Sequence, residues 1–224
     1  AGGPAEAARL VAGAAARGAH LIAEERVEFE RELAVLVARS PNGQAAVYPV
    51  VETVQVDGMC REVYAPAPEM PADHVAAAQQ TALHIAGALD VTGVLAVEMF
   101  ETKGGVVVNE LAMRPHNSGH WTLDGARTSQ FEQHLRAVLD LPLGAPAPLA
   151  PCTVMVNVLG GDEPDLHRRY VHCMARDPEL RIHVYGKTVR PGRKVGHVTV
   201  TGGDLEDLRQ RARYAAAYLR GEIS

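Results

Sequence analysis

Two glutamates hold the strongest chemical signal in this 224-residue sequence. Glu98 and Glu110 stand in two apolar runs, Val91 to Phe100 and Val106 to Leu111, separated by Lys103-Gly104-Gly105, which reads as a three-residue turn with glycine at positive φ. Centring that turn on Gly104 places Glu98 opposite Glu110 on one side of a hairpin, with β-carbons roughly 5 Å apart. Like charges so placed repel, and a carboxylate among apolar neighbours is costly without a partner, so a cation belongs between them. Magnesium fits, since it takes carboxylate oxygens and keeps substrate phosphates as further ligands; manganese is the alternative metal. A two-residue turn would send the pair to opposite faces, and a solvent-facing pair would need no metal.

Just beyond Glu110 come Arg114, His116, Asn117, Ser118, His120 and Trp121. Arg114 offers a planar fork for phosphate or carboxylate, while His116 and Asn117 can orient a small polar substrate beside a metal. The other reading of this run is a polar loop that caps its neighbours. A second cluster, Lys187, Arg190, Arg193 and Lys194, follows the turn residue Gly186. It is a local anion site in a chain whose 22 basic and 27 acidic residues give a net charge of -5, and a phosphate monoester suits it. An exposed basic hairpin is the alternative. Nucleic acid is disfavoured by the acidic total, one Trp and three Phe.

The elements that must position these groups follow from periodicity. An Ala-rich helix opens the chain, with Pro4 in its first turn and Leu10, Val11 and Ala14 on one side. A short strand at His20–Ala23 leads through an acidic crossing to a strand at Glu32–Arg39. Turns at Pro41-Asn42-Gly43 and Asp57-Gly58 make two hairpins, and Ala45–Val51 is the returning strand of the first. A helix over Pro71–Leu89 packs on the sheet. Ser129 and Glu132 form a capping box for a helix whose apolar side is Phe131, Leu135, Val138 and Leu139. The Pro-rich segment Leu141–Pro151 is the best linker in the chain. Beyond it, a strand at Cys152–Leu159, a helix at Asp165–Ala175, a strand at Ile182–Tyr185 and a final helix at Asp204–Arg220 make a small α/β unit. Cys60, Cys152 and Cys173 are widely spaced and read as reduced thiols of a cytoplasmic protein, and no apolar run approaches the ~20 residues of a membrane span.

Glu98 followed by the string NELAMRPHNSGHW, with Glu110 in it, resembles the metal-binding hairpin and substrate loop of the ATP-grasp ligases. The wording is closest to their 5-(carboxyamino)imidazole ribonucleotide synthase branch, whose usual string is near NEIAPRPHNSGH; Met113 stands where Pro is commoner. YGKTVRPGRKVGH resembles that branch's C-terminal motif. The resemblance implies an α/β (α+β) ATP-grasp fold: a lid remnant over residues 1–26, an antiparallel-sheet body over 27–143, and a small C-terminal domain over 144–224. It further implies that upstream residues, an N-terminal domain and the glycine-rich lid loop, precede the sequence in hand.

The resemblance also distributes roles. The acidic crossing becomes a hinge that holds ATP, with Glu24 and Glu32 on the ribose hydroxyls and Val27 against the base; read without the resemblance, this run is a solvated acidic edge. Glu98 and Glu110 hold magnesium, Arg114, His116 and Asn117 serve the reaction, and Lys187, Arg193 and Arg190 hold a ribose 5-phosphate. The implied reaction is ATP- and bicarbonate-dependent carboxylation of 5-aminoimidazole ribonucleotide by a cytoplasmic homodimer, with no nucleic-acid or membrane partner. The alternatives are another ATP-grasp carboxylate–amine ligase and a non-catalytic nucleotide-binding or dimerising fragment.

Overall fold

The computed structural model describes residues 3–161 and 163–223; Ala1 and Gly2 of the expected lid remnant, and Asp162 and Ser224 of the expected C-terminal domain, lie outside the described residues. Its elements are α1 (Pro4–Ala16), β1 (Arg31–Arg39), β2 (Ala45–Val47), β3 (Val51–Val56), β4 (Met59–Ala65), α2 (Ala72–Ala88), β5 (Gly93–Thr102), β6 (Gly105–Ala112), α3 (Thr122–Gly125), α4 (Gln130–Val138), β7 (Cys152–Leu159), α5 (Tyr170–Arg176), β8 (Arg181–Val184), β9 (Lys194–Gly202) and α6 (Leu205–Arg220). All the strands join one antiparallel sheet in the order β6-β5-β1-β3-β4-β7-β9-β8, with β2 added to β1. Because β7 pairs with β4, the segments on either side of the Pro-rich stretch share this sheet.

One face of the sheet is covered by α2 and α6. Ala78, Ala82 and Ala86 of α2 are fully buried, and their small side chains bring the helix close over Leu33, Val35, Val37, Leu95, Val97 and Met99. Helix α6 starts where the Asp204 carboxylate accepts from the amides of Glu206 and Asp207, and it stops at Gly221 with φ 82°. Between these caps Leu208, Ala212, Ala215 and Leu219 bury against Val154, Val156, Val198 and Val200. On the opposite face the chain after β6 folds back over Ala34, Leu36, Ala96 and Met155, with Trp121 buried among them. That return loop is the roof under which the site is built.

Three expectations are corrected. His20–Ala23 is not a strand; residues 19–29 form no regular element and, Val27 apart, are exposed, so the run has no buried apolar face to hold it in the sheet. The Ala45–Val51 strand is interrupted at Tyr48-Pro49, where proline has no amide to donate. In α4 the apolar side faces outward: Phe131 is 40%, Leu135 58%, Val138 41% and Leu139 65% exposed, while Gln130, Gln133 and Ala137 are buried. The neighbouring loops explain the inversion. The Gln130 amide satisfies both the N–H and the C=O of His116, and the Gln133 amide does the same for Gly144. Buried main-chain groups demand such partners, and here that demand outweighs the hydrophobic stripe.

Candidate active site

The hairpin turn is shorter than its sequence suggests. Thr102 pairs with Gly105 and Met99 with Val108, so Lys103-Gly104 form a two-residue loop, which in a regular ladder would set Asn109 opposite Glu98. Asn109 is instead bulged out, and the ladder resumes with Glu98 opposite Glu110. The facing pair therefore arises from a bulge, not from the three-residue turn. Two more bulges border the same place: Arg61 in β4 and Val195 in β9 interrupt their ladders in the same way.

Glu98 and Glu110 are joined by His116, and ligand atoms of all three lie within 4.8 Å of one another. Burial, then the charge of Glu110 and a hydrogen bond to it, and then the charge of Glu32, push the Glu98 carboxyl up to about 7. A carboxyl so far from its ordinary value is a site short of positive charge. The oxygen-rich donor set and this deficit fit a hard divalent cation. Burial, with Arg114 and Lys194 nearby, holds the His116 imidazole below its usual range. Its Nδ1 accepts from the Ser118 amide and lies 2.9 Å from the Ser118 hydroxyl, so the proton sits on Nε2 and the 3.7 Å approach to Glu98 is not an ion pair.

Asn117 points across to the C-terminal strands. Its amide exchanges two 2.8 Å hydrogen bonds with Asn157 of β7, and its Oδ1 also accepts from Lys194 Nζ at 3.1 Å. Lys194 is half-buried and its pKa is lowered, chiefly by burial, against the pull of Cys60 and Glu98. Neither Asn157 nor Lys194 was singled out as a site residue from the sequence. The sequence places Lys194 in the local anion site with Lys187, Arg190 and Arg193 but assigns it no role of its own, and no local motif marks Asn157. Arg114 is exposed, with one guanidinium N–H on the Pro115 carbonyl.

The remaining expected residues fall into two groups. Glu32 is half-buried near the start of β1, on the same face as Glu98, and burial raises its pKa. Glu24 is exposed and Val27 half-buried in the irregular 19–29 stretch, and the structure does not bring Glu24 into the carboxylate cluster. Phe29 at the end of that stretch stacks on Phe100 at 4.5 Å, an aromatic contact the sequence reading did not foresee. Lys187, Arg190 and Arg193 are all exposed on the turn between β8 and β9. The turn is pinned to the end of β7: Gly160 donates to the Arg193 carbonyl at 2.7 Å and its own carbonyl accepts from Gly192. Through Lys194, the next residue, this basic turn is continuous with the Asn117 and Glu98 cluster.

The facing glutamates, the polar return loop and the basic turn all fall in segments that match known families. Residues 3–131 match the ATP-grasp domain, and the chain belongs to the ATP-grasp family. Residues 153–211 match the phosphoribosylaminoimidazole carboxylase C-terminal domain. The chain is 59% identical over 208 residues to the N5-carboxyaminoimidazole ribonucleotide synthase of Mycobacterium tuberculosis, covering 91% of this chain and 48% of that protein. It superposes on N5-carboxyaminoimidazole ribonucleotide synthetase from Thermus thermophilus with a TM-score of 0.83 at 42% identity, covering 97% of this chain and 58% of that one. It also superposes on the Aspergillus clavatus N5-carboxyaminoimidazole synthase in complex with ADP and 5-aminoimidazole ribonucleotide, with a TM-score of 0.79 at 38% identity, over 88% of this chain and 53% of that one. The chain thus spans about half the length of the curated relatives it matches. Among the described residues no helix is long and apolar enough to cross a membrane.

Proposed function

We propose that this chain is the nucleotide- and acceptor-handling part of an N5-carboxyaminoimidazole ribonucleotide synthase, which carboxylates the amine of 5-aminoimidazole ribonucleotide with bicarbonate at the expense of ATP. The observation that carries the reading is the pairing of Glu98 with Glu110 next to a loop tied, through Asn117 and Lys194, to the basic turn. Such a site needs both a metal–phosphate end and a phosphate-anchoring end, and the ribonucleotide substrate has the second.

In this reading Glu98 and Glu110 would hold magnesium, or manganese, and the cation would supply positive charge against the negative charge developing on the ATP phosphates. Glu32, Glu24 and Val27 hold the nucleoside. Arg114 pairs with the carboxyphosphate formed from bicarbonate, its fork matched to a planar anion. His116, neutral at physiological pH with its proton on Nε2, donates to the bicarbonate-derived oxygens, and Asn117 orients the attacking amine. Lys187, Arg190 and Arg193 anchor the 5-phosphate away from the reacting atoms, so that binding energy from a remote group orients the amine. The protein is cytoplasmic and a homodimer, and the exposed apolar side of α4 is the surface that supports dimerisation.

Calorimetric titration of the chain with 5-aminoimidazole ribonucleotide tests the acceptor. Binding that is weakened at least tenfold by Arg193→Ala, and unchanged by Glu110→Gln without metal, is the expected result. Absence of binding by the folded chain overturns the acceptor assignment and leaves the nucleotide-binding module.

A further inference from the structure

We propose that Asn157 is a positioning residue of the site: it fixes the amide of Asn117, and through it the ammonium of Lys194. It touches no substrate itself, and its relevance to turnover rests on the reading of Asn117 just given. The argument begins with a main-chain carbonyl. The β4–β7 ladder stops at Glu62 opposite Val156, because β4 is bulged at Arg61. Just past that point the Cys60 carbonyl accepts from Asn157 Nδ2 at 3.0 Å.

A carbonyl can only accept, so it dictates which end of the Asn157 amide faces it. Asn157 is 2% exposed, and no water competes for the choice. The same Nδ2 then donates to Asn117 Oδ1, while Asn157 Oδ1 accepts from Asn117 Nδ2, both at 2.8 Å. The reciprocal pair has a single allowed sense, so Asn117 Oδ1 is left pointing where Lys194 Nζ reaches it at 3.1 Å. A flipped Asn117 would turn an NH2 toward the ammonium and repel it. Orientation thus passes from the Cys60 backbone to Asn157, to Asn117 and to Lys194, across three strands and the return loop.

The test uses the small lysine inventory. Lys103, Lys187 and Lys194 are the three lysines of the chain, so protein labelled with 13C at lysine Cε yields one readily assigned signal for each. Asn157→Ser keeps a hydroxyl to donate to the Cys60 carbonyl but cannot make the reciprocal amide pair; Asn157→Leu removes both. The expected result is a restrained Lys194 Cε in the parent, mobility rising to that of exposed Lys103 in either variant, and affinity for 5-aminoimidazole ribonucleotide falling about tenfold. A purely structural role predicts that Asn157→Ser, with the carbonyl still satisfied, leaves the Lys194 signal unmoved while melting temperature falls. A folded variant with parental Lys194 relaxation overturns the proposal. A parent that does not bind the ribonucleotide overturns the acceptor reading instead, and the relaxation data still decide the role of Asn157.

Discussion

Glu98 lies opposite Glu110 because Asn109 is bulged out of β6; a regular two-residue hairpin would have paired Glu98 with Asn109. The bulge holds two carboxylates together against their repulsion, Glu110 exposed and Glu98 half-buried, and burial of Glu98 beside Glu110 raises its pKa to about 7. The fold stores this unfavourable pairing at the candidate metal position, in keeping with the tendency of strained or frustrated features to gather at sites.

The pairing contributes one identifiable part of the pH dependence of stability without metal. The folded-state pKa of Glu98 lies above its ordinary 4.5, so between pH 4.5 and 7 the folded chain binds more protons than the unfolded one. The contribution of Glu98 to stability therefore falls as pH rises through that window, by roughly 1–2 kcal/mol after solvent screening, whereas the neutral imidazoles of His116, His120 and His197, whose pKa values burial lowers, contribute in the opposite sense. Glu98→Gln, which removes the charge, abolishes this slope and stabilises the metal-free chain at pH 8. Denaturant unfolding at pH 5 and pH 8 with chelator present reads both effects.

Gln130 is fully buried and meets His116 N, His116 O and His120 Nδ1 through one amide. Gln130→Leu leaves these groups without partners and costs about 1–3 kcal/mol. Because the clamp sets the main chain at His116, metal affinity measured by thermal shift falls together with stability, whereas Gln133→Leu, on the same helix but clamping Gly144, lowers stability with metal affinity retained.

A β-carbon at Gly160 would come within 2.1 Å of the Arg190 carbonyl oxygen, a main-chain atom that cannot swing aside. Gly160→Ala displaces the basic turn from the end of β7. Ribonucleotide affinity drops at least tenfold while magnesium-ATP binding is kept, as separate titrations of the purified variant show.

The outward face of α4 offers the clearest test of assembly. Leu135→Lys with Leu139→Glu places charge on exposed positions and leaves the buried amides, and the stacking of Phe131 on His120, untouched. Sedimentation shows a dimer in the parent and a monomer of unchanged melting temperature in the variant if this face is the interface.

Much of this was legible in the chain itself. Strand and helix positions follow from periodicity at α2, β7 and α6, and of the capping box expected at Ser129 and Glu132 the Ser129 half is present, its Oγ accepting from the Glu132 amide, while the Glu132 carboxylate pairs with Arg136. The facing glutamates were reached by a wrong route, since a bulge cannot be read from Val106-Val107-Val108-Asn109, where every residue suits a regular strand. The outward face of α4 was missed because hydrophobic periodicity does not register main-chain groups of distant loops that need Gln130 and Gln133. Asn157 and Lys194 escaped for a related reason: their roles depend on strand pairings between residues far apart in sequence, which no local pattern encodes.

The most direct test of the central claim is ADP release by the protein with magnesium-ATP and bicarbonate, with and without 5-aminoimidazole ribonucleotide, in the parent and in Glu110→Gln. The account predicts release that requires the ribonucleotide and is lost in Glu110→Gln, whose fold, judged by its melting transition, is intact. Release that is indifferent to the ribonucleotide, or full turnover by Glu110→Gln, would contradict it.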